Sequence, residues 1–375
     1  MHLVGGSVRD LLLGGEPSDL DLVVVGDPVP VARGIGRDVI VHDRFGTSTV
    51  VADGHTYDVA RARRETYARP GALPDVSPAG LVEDLRRRDF TVNAMAVALG
   101  GPESGQLTAH PGALDDLNRR CLRILHDRSF IDDPTRLFRL ARYHGRLGFA
   151  IDPHTRTLAS EAIQSGAART VSGPRIGHEL RLLTTERDPV AALLALRELE
   201  LDGTIHPRFG LDDEDLARRA LAILPPDGRP DRLALAVAGR HIDSGELTPL
   251  LDRLGFEAPD RDAIVQAAAR APELRRALSA AGAPSEIAAA AAGFGPEAVA
   301  LAGALGADGP AREWLERLRG VALEIDGRDL LAAGVPEGPA VGRALRAALS
   351  AKLDGRVGDR EEELAVALQS LGTDG

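Results

Sequence analysis

The residue pattern of the chain changes near residue 117, and this change constrains the fold more than any other feature. Before it, β-branched runs at residues 20–25 and 39–42 alternate with helical segments. After it, leucines and isoleucines recur at helical spacing with arginines between them, and from about residue 212 the chain is rich in alanine and leucine. The sequence therefore predicts an α+β fold, with a mixed sheet and helices first and helices alone afterwards.

Turn signals support a division into three parts. Clusters of proline and glycine interrupt the helical half, for example at residues 225–228 and 308–310. We expect a head at residues 1–117, a helical neck at 118–211, and a helical body and tail at 212–375.

Composition excludes several classes of protein. Charged residues make up 27% of the chain and hydrophobic residues 44%, which excludes a disordered chain. No apolar run reaches the ~18 residues of a membrane span, and charged residues stand near the N-terminus where a signal peptide would be apolar. Cys121 is the single cysteine, so an internal disulfide framework is excluded. We expect a soluble, cytoplasmic protein that does not associate with membranes.

The charge is unevenly distributed along the chain. The formal net charge is −11, yet residues 118–187 contain thirteen arginines and seven acidic residues. A basic segment within an acidic protein is typical of a surface that holds a nucleic-acid backbone. A solvated arginine face is the alternative.

Asp19 and Asp21 form the strongest chemical signal. On a strand, residues two apart point to the same face, with Cα atoms about 6.6 Å apart. Two carboxylates held so close repel each other unless a cation lies between them. Because Mg²⁺ binds carboxylate and phosphate oxygens together, the pair predicts a catalytic Mg²⁺ site. A solvated acidic pair is the alternative.

A glycine turn precedes this acidic pair. Gly5 and Gly6 separate a predicted strand at residues 2–4 from a predicted helix at 7–13, and they let the backbone approach a ligand closely. The helix N-terminus and Arg9 can bind an anion there. Turn and acidic pair together predict metal-dependent handling of a nucleoside triphosphate; an ordinary tight turn is the alternative.

Asp133 and Arg136 are three residues apart and therefore neighbours on one helix face. A carboxylate that accepts and a guanidinium fork that donates could pair with the Watson–Crick edge of cytosine or adenine. Alternatively, Asp133 caps the helix that begins at Pro134, which would occupy its carboxylate unless Asp132 took over the cap.

Four motifs stand in order along the chain: GGSVRD at 5–10, DLD at 19–21, RRDFTVNA at 87–94 and DPTR at 133–136. This series resembles that of class II CCA-adding tRNA nucleotidyltransferases and bacterial poly(A) polymerases, and the resemblance extends from residue 3 to about 208. It implies a head of the DNA polymerase beta superfamily, followed by a helical neck, body and tail. It also implies addition of CMP and AMP, from CTP and ATP, to the 3′ end of tRNA without a nucleic-acid template.

The resemblance also implies a set of site residues. Asp19 and Asp21 would bind Mg²⁺, and the nucleotide would be bound by Gly6, Arg9, Arg88, Asp89, Asp133 and Arg136. Helix spacing, rather than the resemblance, adds Arg139 and Arg142 as candidate nucleotide-binding residues. Gly6 and Arg9 would hold the triphosphate, and Arg88 and Asp89 would lie at the ribose and phosphates. Arg139 and Arg142 continue the helix row toward the phosphates, or are merely solvated. Asn93 could instead brace a following helix, and Asp58 could be a third carboxylate or an ion-pair partner.

Three functions stay open at this point. The first is a tRNA 3′-end nucleotidyltransferase that adds CCA, CC or A, all of which share these motifs. The second is a poly(A) polymerase; the segment Asp43-Arg44-Phe45-Gly46-Thr47 favours tRNA, since poly(A) enzymes tend to carry a basic Gly-Arg-Arg-Phe there. The third is a catalytically inactive RNA-binding scaffold, against which the intact acidic pair argues.

Overall fold

The protein is represented by a computed structural model that describes residues 1–17, 19–42 and 46–371, with Asp19 described as backbone only. It has two compact units, Met1–Pro207 and Arg208–Gly375. The expected boundary between head and neck lies inside the first unit, and the expected start of the body lies close to the start of the second.

Strands and helices of the first unit follow the predicted alternation. The strands are β1 (His2–Val4), β2 (Asp19–Val24), β3 (Val39–His42), β4 (Thr47–Ala52), β5 (His55–Arg61), β6 (Arg63–Thr66), β7 (Asp75–Pro78), β8 (Met95–Ala98), β9 (Leu107–Ala109), β10 (Cys121–Leu122) and β11 (Ala150–Ile151). The helices are α1 (Gly6–Leu12), α2 (Pro28–Ile35), α3 (Leu81–Arg86), α4 (Ala113–Asn118), α5 (Ser129–Asp132), α6 (Thr135–Leu147), α7 (Pro153–Gln164), α8 (Gly173–Thr184), α9 (Pro189–Glu198) and α10 (Asp202–Ile205).

The main sheet has the strand order β3-β4-β5-β2-β1-β8-β9. β2 and β5 are parallel, whereas the other neighbouring strands are antiparallel. Leu3 pairs with Leu22, so the chain that leaves β1 emerges beside Asp21. Asp21 in turn pairs with Asp58 across the parallel strands. This register brings the glycine turn and two acidic residues to one region of the sheet.

Small apolar side chains hold the helices onto this sheet. Val4, Val23, Ala62, Leu85 and Ala96 form one buried cluster, in which Leu85 comes from α3 and the others come from or adjoin the strands. Burial of such side chains is the main stabilising contribution to the fold. The cluster anchors α3, and with it the arginines that follow this helix.

Helix α6 carries the DPTR motif and packs against α8 and α9. Leu137, Phe138 and Leu140 are buried, and the helix ends at Gly148, whose left-handed φ of 63° is easily adopted by glycine. The neck is not entirely helical, because β10 and β11 form a short parallel pair. Two-residue strands are too short to show an apolar period in the sequence.

The described part of the second unit is helical, as expected. Its helices are α11 (Glu214–Ile223), α12 (Pro230–Gly239), α13 (Ser244–Arg253), α14 (Ala258–Ala280), α15 (Pro284–Ala291), α16 (Pro296–Ala302), α17 (Asp308–Glu316), α18 (Gly327–Ala332), α19 (Pro339–Leu353) and α20 (Arg360–Leu371). Ile325, Leu330, Ala344, Ala348 and Ala367 form one of its apolar clusters. Small alanines on facing helices allow this close packing.

No single helix in the described ranges is both long enough and apolar enough to span a membrane. Pro284–Ala291 and Pro296–Gly320 meet these criteria of length and composition only as a pair, which is bent by 117°.

Candidate active site

A cleft of about 590 Å³ in the first unit brings most of the predicted site residues together. The predicted residues that line it are Gly6, Asp21, Arg88, Asp89, Asp133, Arg136 and Arg139. Arg9 and Arg142 are not among the described residues that line the cleft. Asp19 begins β2 opposite Thr56, and its side chain lies outside the described part.

The glycine turn is fixed by its neighbours. Gly5 has a φ of 71°, in the left-handed region, and its N–H donates to the carbonyl of Met95 at 3.0 Å. A Cβ at this position would lie 2.5 Å from Nη1 of Arg88, so a side chain would displace the guanidinium. The hydroxyl of Ser7 accepts a hydrogen bond from the N–H of Asp21 at 3.2 Å, which ties the turn to β2.

The acidic side of the cleft contains Asp21 and Asp58, which are partners in the register of β2 and β5. Asp58 accepts a hydrogen bond from Thr49 at 2.6 Å. Carboxylate oxygens on neighbouring strands are hard donors, and such donors suit a divalent cation. Within the described residues no group of three or more His, Cys, Asp or Glu side chains is placed to share one metal ion. The donor chemistry fits a divalent ion, with Asp19 as the predicted further ligand.

Asp89 is buried and fully used as an acceptor. Its Oδ1 accepts from the N–H of Phe90 at 2.8 Å and from Nδ2 of Asn93 at 2.9 Å. Its Oδ2 accepts from Nε and Nη2 of Arg139 at 2.8 and 2.6 Å. Burial raises the pKa of Asp89, but Arg139 and Asn93 more than compensate, so its pKa lies well below the ordinary value. Because a carboxylate has about four acceptor positions, a ribose hydroxyl would have to replace one of these donors.

Arg9 is buried beneath the cleft rather than open to it. Its Nη1 donates to Oδ1 of Asn93 at 2.6 Å, and its Nε donates to Asp10 at 2.8 Å. Asn93 therefore bridges Arg9 and Asp89, and it precedes β8 rather than the helix that we expected it to brace. The predicted contact of Arg9 with a phosphate stays a prediction.

Tyr143 is a site residue that the sequence did not suggest. Three guanidinium groups lie against its ring, with Cζ 5.1 Å (Arg9), 5.7 Å (Arg139) and 4.8 Å (Arg142) from the centroid. Phe90 meets the same ring edge-on at 5.8 Å between centroids. The ring thus joins α1, the RRDFTVNA segment and α6.

Arg142 faces acidic side chains of the neck. Its Nη1 donates to Glu186 at 3.3 Å, and its Nε lies 3.6 Å from Oε2 of Glu179. The Nε atom of Arg142 and the Oε2 atom of Glu179 are both buried, and neither has a hydrogen-bond partner among the described residues. The predicted contact of Arg142 with a nucleotide phosphate also stays a prediction.

Asp133 caps its helix and still retains a carboxylate oxygen. Oδ1 accepts from the N–H and hydroxyl of Thr135 at 3.2 and 2.7 Å and from Nη2 of Arg175 at 2.9 Å. In the described part of the chain Oδ2 has no hydrogen-bond partner. Asp132 does not take over the cap, since it ends α5 and pairs with Arg128. Capping of the helix and recognition of a base by Asp133 are therefore compatible, because Oδ1 makes the capping contacts and Oδ2 remains for a base.

Arg136 is buried and held from two directions. Its Nη1 donates to the hydroxyl of Ser129 at 2.7 Å, and its Nη2 donates to the carbonyl of Arg87 at 2.6 Å. A guanidinium has five N–H groups, so donors remain for a ligand. Asp133 and Arg136 together present an acceptor and a donor to the same cleft.

Two acidic residues that bind arginines here were also not predicted from the sequence, Asp84 behind the cleft and Glu65 in its lining. Asp84 accepts hydrogen bonds from both Arg87 and Arg88, and Glu65 accepts from Arg87. The spacing of Asp84 from the two arginines, three and four residues, was a usable signal on a helix. Glu65 gave no such signal, because it lies 22 residues from Arg87.

The sheet, the glycine turn and the acidic strand define a nucleotidyltransferase head. Residues 1–123 match the family described as Poly A polymerase head domain. A CC-adding tRNA nucleotidyltransferase of Deinococcus radiodurans is 34% identical over 99% of this chain and 90% of its own length. The chain therefore belongs to the class II CCA-adding tRNA nucleotidyltransferase family, which confirms the resemblance of the four motifs.

Other similarities agree with this family. An A-adding tRNA nucleotidyltransferase of Geobacter sulfurreducens is 34% identical over 98% of this chain, which spans less than half (45%) of that protein. The solved Thermotoga maritima CCA-adding enzyme complexed with tRNA is 28% identical, with a TM-score of 0.77 over 99% of this chain and 91% of that chain. The relatives thus include enzymes named for CC and for A addition.

Proposed function

We propose that this protein adds CMP, AMP or both to the 3′ end of tRNA, using CTP and ATP, Mg²⁺ and no nucleic-acid template. The observation that carries the proposal is that the glycine turn, Asp21, Arg88 and the pair Asp133 and Arg136 all meet in one cleft. The same proposal makes it a cytoplasmic RNA-processing enzyme whose partners are tRNA, ATP and CTP.

The phosphate side of the cleft consists of the glycine turn and Arg88. The backbone at Gly6 can approach a triphosphate closely because no side chain intervenes. Arg88 supplies a planar fork of donors that matches phosphate oxygens. Arg9, which is buried below, supports this side through Asn93 and Asp89.

The acidic side would hold Mg²⁺ through Asp19 and Asp21, with Asp58 as a further donor on the neighbouring strand. When bound there, Mg²⁺ supplies Lewis acidity to the attacking 3′ hydroxyl and charge neutralisation to the leaving pyrophosphate. Asp21 is oriented for this task by the hydrogen bond from its N–H to Ser7.

The base side is formed by Asp133 and Arg136. The Oδ2 atom of Asp133 can accept from the exocyclic amino group that cytosine and adenine share, while Arg136 donates to a ring acceptor. Guanine and uracil present a carbonyl oxygen at the position of this amino group, where it would face the carboxylate unpaired. Asp133 is half-buried, and a bound base would remove water from its Oδ2 atom. Leaving this desolvated carboxylate unpaired is costly, so these two bases are rejected.

The test is primer extension with purified protein, Mg²⁺ and CTP and ATP, singly and together. The primers are tRNAs that lack three, two or one 3′ nucleotides, with an unstructured RNA as the control. Extension of all three tRNAs that stops after CCA identifies a CCA-adding enzyme, and extension of a subset identifies a CC- or A-adding one. Long A tails on the control RNA would replace the proposal by a poly(A) polymerase, and no incorporation would refute both.

A further inference from the structure

Asp84 lies in α3, behind the cleft, and its carboxylate is fully buried. Oδ1 accepts from the N–H of Arg63 at 3.2 Å and from Nε and Nη2 of Arg87 at 2.9 and 2.8 Å; Oδ2 accepts from Nη2 of Arg88 at 3.2 Å. A buried carboxylate destabilises a fold unless such partners compensate for its lost hydration. Asp84 is not among the described residues that line the cleft, so any effect on a ligand there would pass through its partners.

Arg88 is the partner that faces the phosphate side. A Cβ on Gly5 would lie 2.5 Å from its Nη1 and 3.7 Å from Oδ2 of Asp21. The guanidinium therefore occupies the space that the absent side chain leaves, beside an acidic residue of the cleft. Its Nε is buried and has no hydrogen-bond partner among the described residues. The ion pair with Asp84 thus sets the direction in which this guanidinium points.

Arg87 connects Asp84 to the base side. The side chain of Arg87 is held by Asp84 and by Glu65, to which its Nη1 donates at 2.8 Å. Its carbonyl accepts the hydrogen bond from Nη2 of Arg136 at 2.6 Å. One buried carboxylate therefore restrains two neighbouring residues, of which one meets the glycine turn and the other holds Arg136.

The positive charge around Asp84 allows its role to be tested by whether Asp84→Asn strengthens or weakens the binding of an anion. Arg63, Arg87 and Arg88 face the carboxylates of Asp84 and Glu65. Asp84→Asn would remove one negative charge from this cluster. If Asp84 acted only through its charge, this variant would bind a polyanion more tightly. If Asp84 sets the direction of Arg88, the variant binds the polyanion more weakly.

We propose that Asp84 is a positioning residue of the nucleotide site: it aims Arg88 at the triphosphate and, through Arg87, fixes Arg136. This inference rests on the proposed function, because it assigns the phosphate and base sides as above.

The experiment compares full-length Asp84→Asn with wild type and with Glu83→Gln. Glu83 is the matched control, since it precedes Asp84 on the same helix but is exposed and caps the helix at Gly80. For each protein we would measure kcat and KM for CTP and ATP, and the affinity for inorganic pyrophosphate with Mg²⁺ by calorimetry. We expect Asp84→Asn to raise KM and weaken pyrophosphate binding by about tenfold or more, with a smaller change in kcat, and Glu83→Gln to match wild type.

A double-mutant cycle with Arg88→Gln separates positioning from general destabilisation. If Asp84 acts through Arg88, Asp84→Asn adds little further loss of pyrophosphate affinity once Arg88 is replaced. Fully additive losses, or unchanged or tighter pyrophosphate binding in Asp84→Asn, would overturn the inference.

Two further outcomes keep the test decisive. If Asp84→Asn does not fold, Arg88→Lys is measured instead. Lysine keeps the positive charge, but its single ammonium group cannot both contact Asp84 and cover the glycine turn. An unchanged KM for CTP and ATP in Arg88→Lys would overturn the inference. If wild type transfers no nucleotide, the proposed function fails, whereas the pyrophosphate comparison still decides the role of Asp84.

Discussion

The two units of the molecule bury different kinds of side chain. In the first unit, charged and polar groups such as Arg9, Asp84, Asp89 and Arg136 are buried. In the described part of the second unit, the buried polar side chains are Glu297 and Glu363, and the rest of the core is alanine, leucine and other apolar residues.

This difference distinguishes the apolar side chains that stabilise the fold from the charged side chains that are placed to act on a ligand. Apolar burial stabilises both units, whereas buried charges cost hydration and persist only when they are paired. Arginines of the first unit form such pairs: Arg139 binds the buried Asp89, and the buried Arg142 binds Glu186. The arginine excess of residues 118–187 therefore serves the internal order of the cleft as well as any RNA.

The largest effect should come from Asp21→Asn. This change removes one charge from the cleft without altering volume, and we expect transfer to fall by at least about a thousandfold. Thermal unfolding should stay as in wild type because Asp21 is only half-buried. Asp53→Asn, in the exposed turn between β4 and β5, is the matched control and should keep full activity. Retained transfer in Asp21→Asn would remove the basis for the metal assignment.

Asp89→Asn should destabilise the first unit by roughly 3 kcal/mol, since it breaks a buried ion pair and leaves donors of Arg139 unpaired. The pKa of Asp89 is lowered in the folded protein, so its contribution is complete above the ordinary pKa and is lost as the pH falls through the lower, folded value. Chemical unfolding should show the same difference from wild type near pH 7 and near pH 5, and a smaller one below about pH 4. A difference that grows toward acid pH would contradict this assignment.

Glu363→Gln should destabilise the second unit by about 2 kcal/mol. The carboxylate is buried, accepts from the N–H groups of Glu324 and Ile325 at 2.8 and 3.2 Å, and pairs with Lys352 at 2.5 Å. Unlike the buried acids of the cleft, it holds only its own helices together, so kcat at saturating tRNA should not change. Loss of kcat below the unfolding temperature would show that the two units are not as distinct as proposed.

Arg312→Gln should have the smallest effect. Arg312 pairs with Asp308 one helical turn away at 3.0 Å, but both side chains are exposed. Such pairs contribute less than about 0.5 kcal/mol, and less still at high salt. Comparing this change with Asp89→Asn in the same unfolding assay isolates the effect of burial. A loss above 1 kcal/mol, on the order of a buried hydrogen bond, would contradict the account.

The sequence predicted the elements best where β-branched runs or helical periods were long. β1 and β3 have the predicted bounds, and α1 ends one residue before the predicted end at Leu13. β6 and β7 were missed because Arg63–Thr66 and Asp75–Pro78 show no apolar alternation; their pairing stabilises them instead.

From the sequence, only those site residues that belong to a motif could be predicted. Residues that motifs mark, such as Asp21, Arg88 and Arg136, line the cleft. Tyr143 could not be recognised, since its role depends on Arg9, which is 134 positions away in sequence and 5.1 Å away in space. For Asp133, the contact with the start of its helix is made by Oδ1, whereas base reading by Oδ2 stays a prediction.

The most direct test of the central claim, that side chains of one cleft select the base, is a competition among all four nucleotides. Equal concentrations of ATP, CTP, GTP and UTP would be offered with a tRNA that lacks part of its 3′ end, and the added nucleotides would be sequenced. The account predicts C, A or both, with G and U at background, and loss of this selectivity in Asp133→Asn. Addition of G or U at rates comparable to those of C or A by the wild-type protein would contradict it.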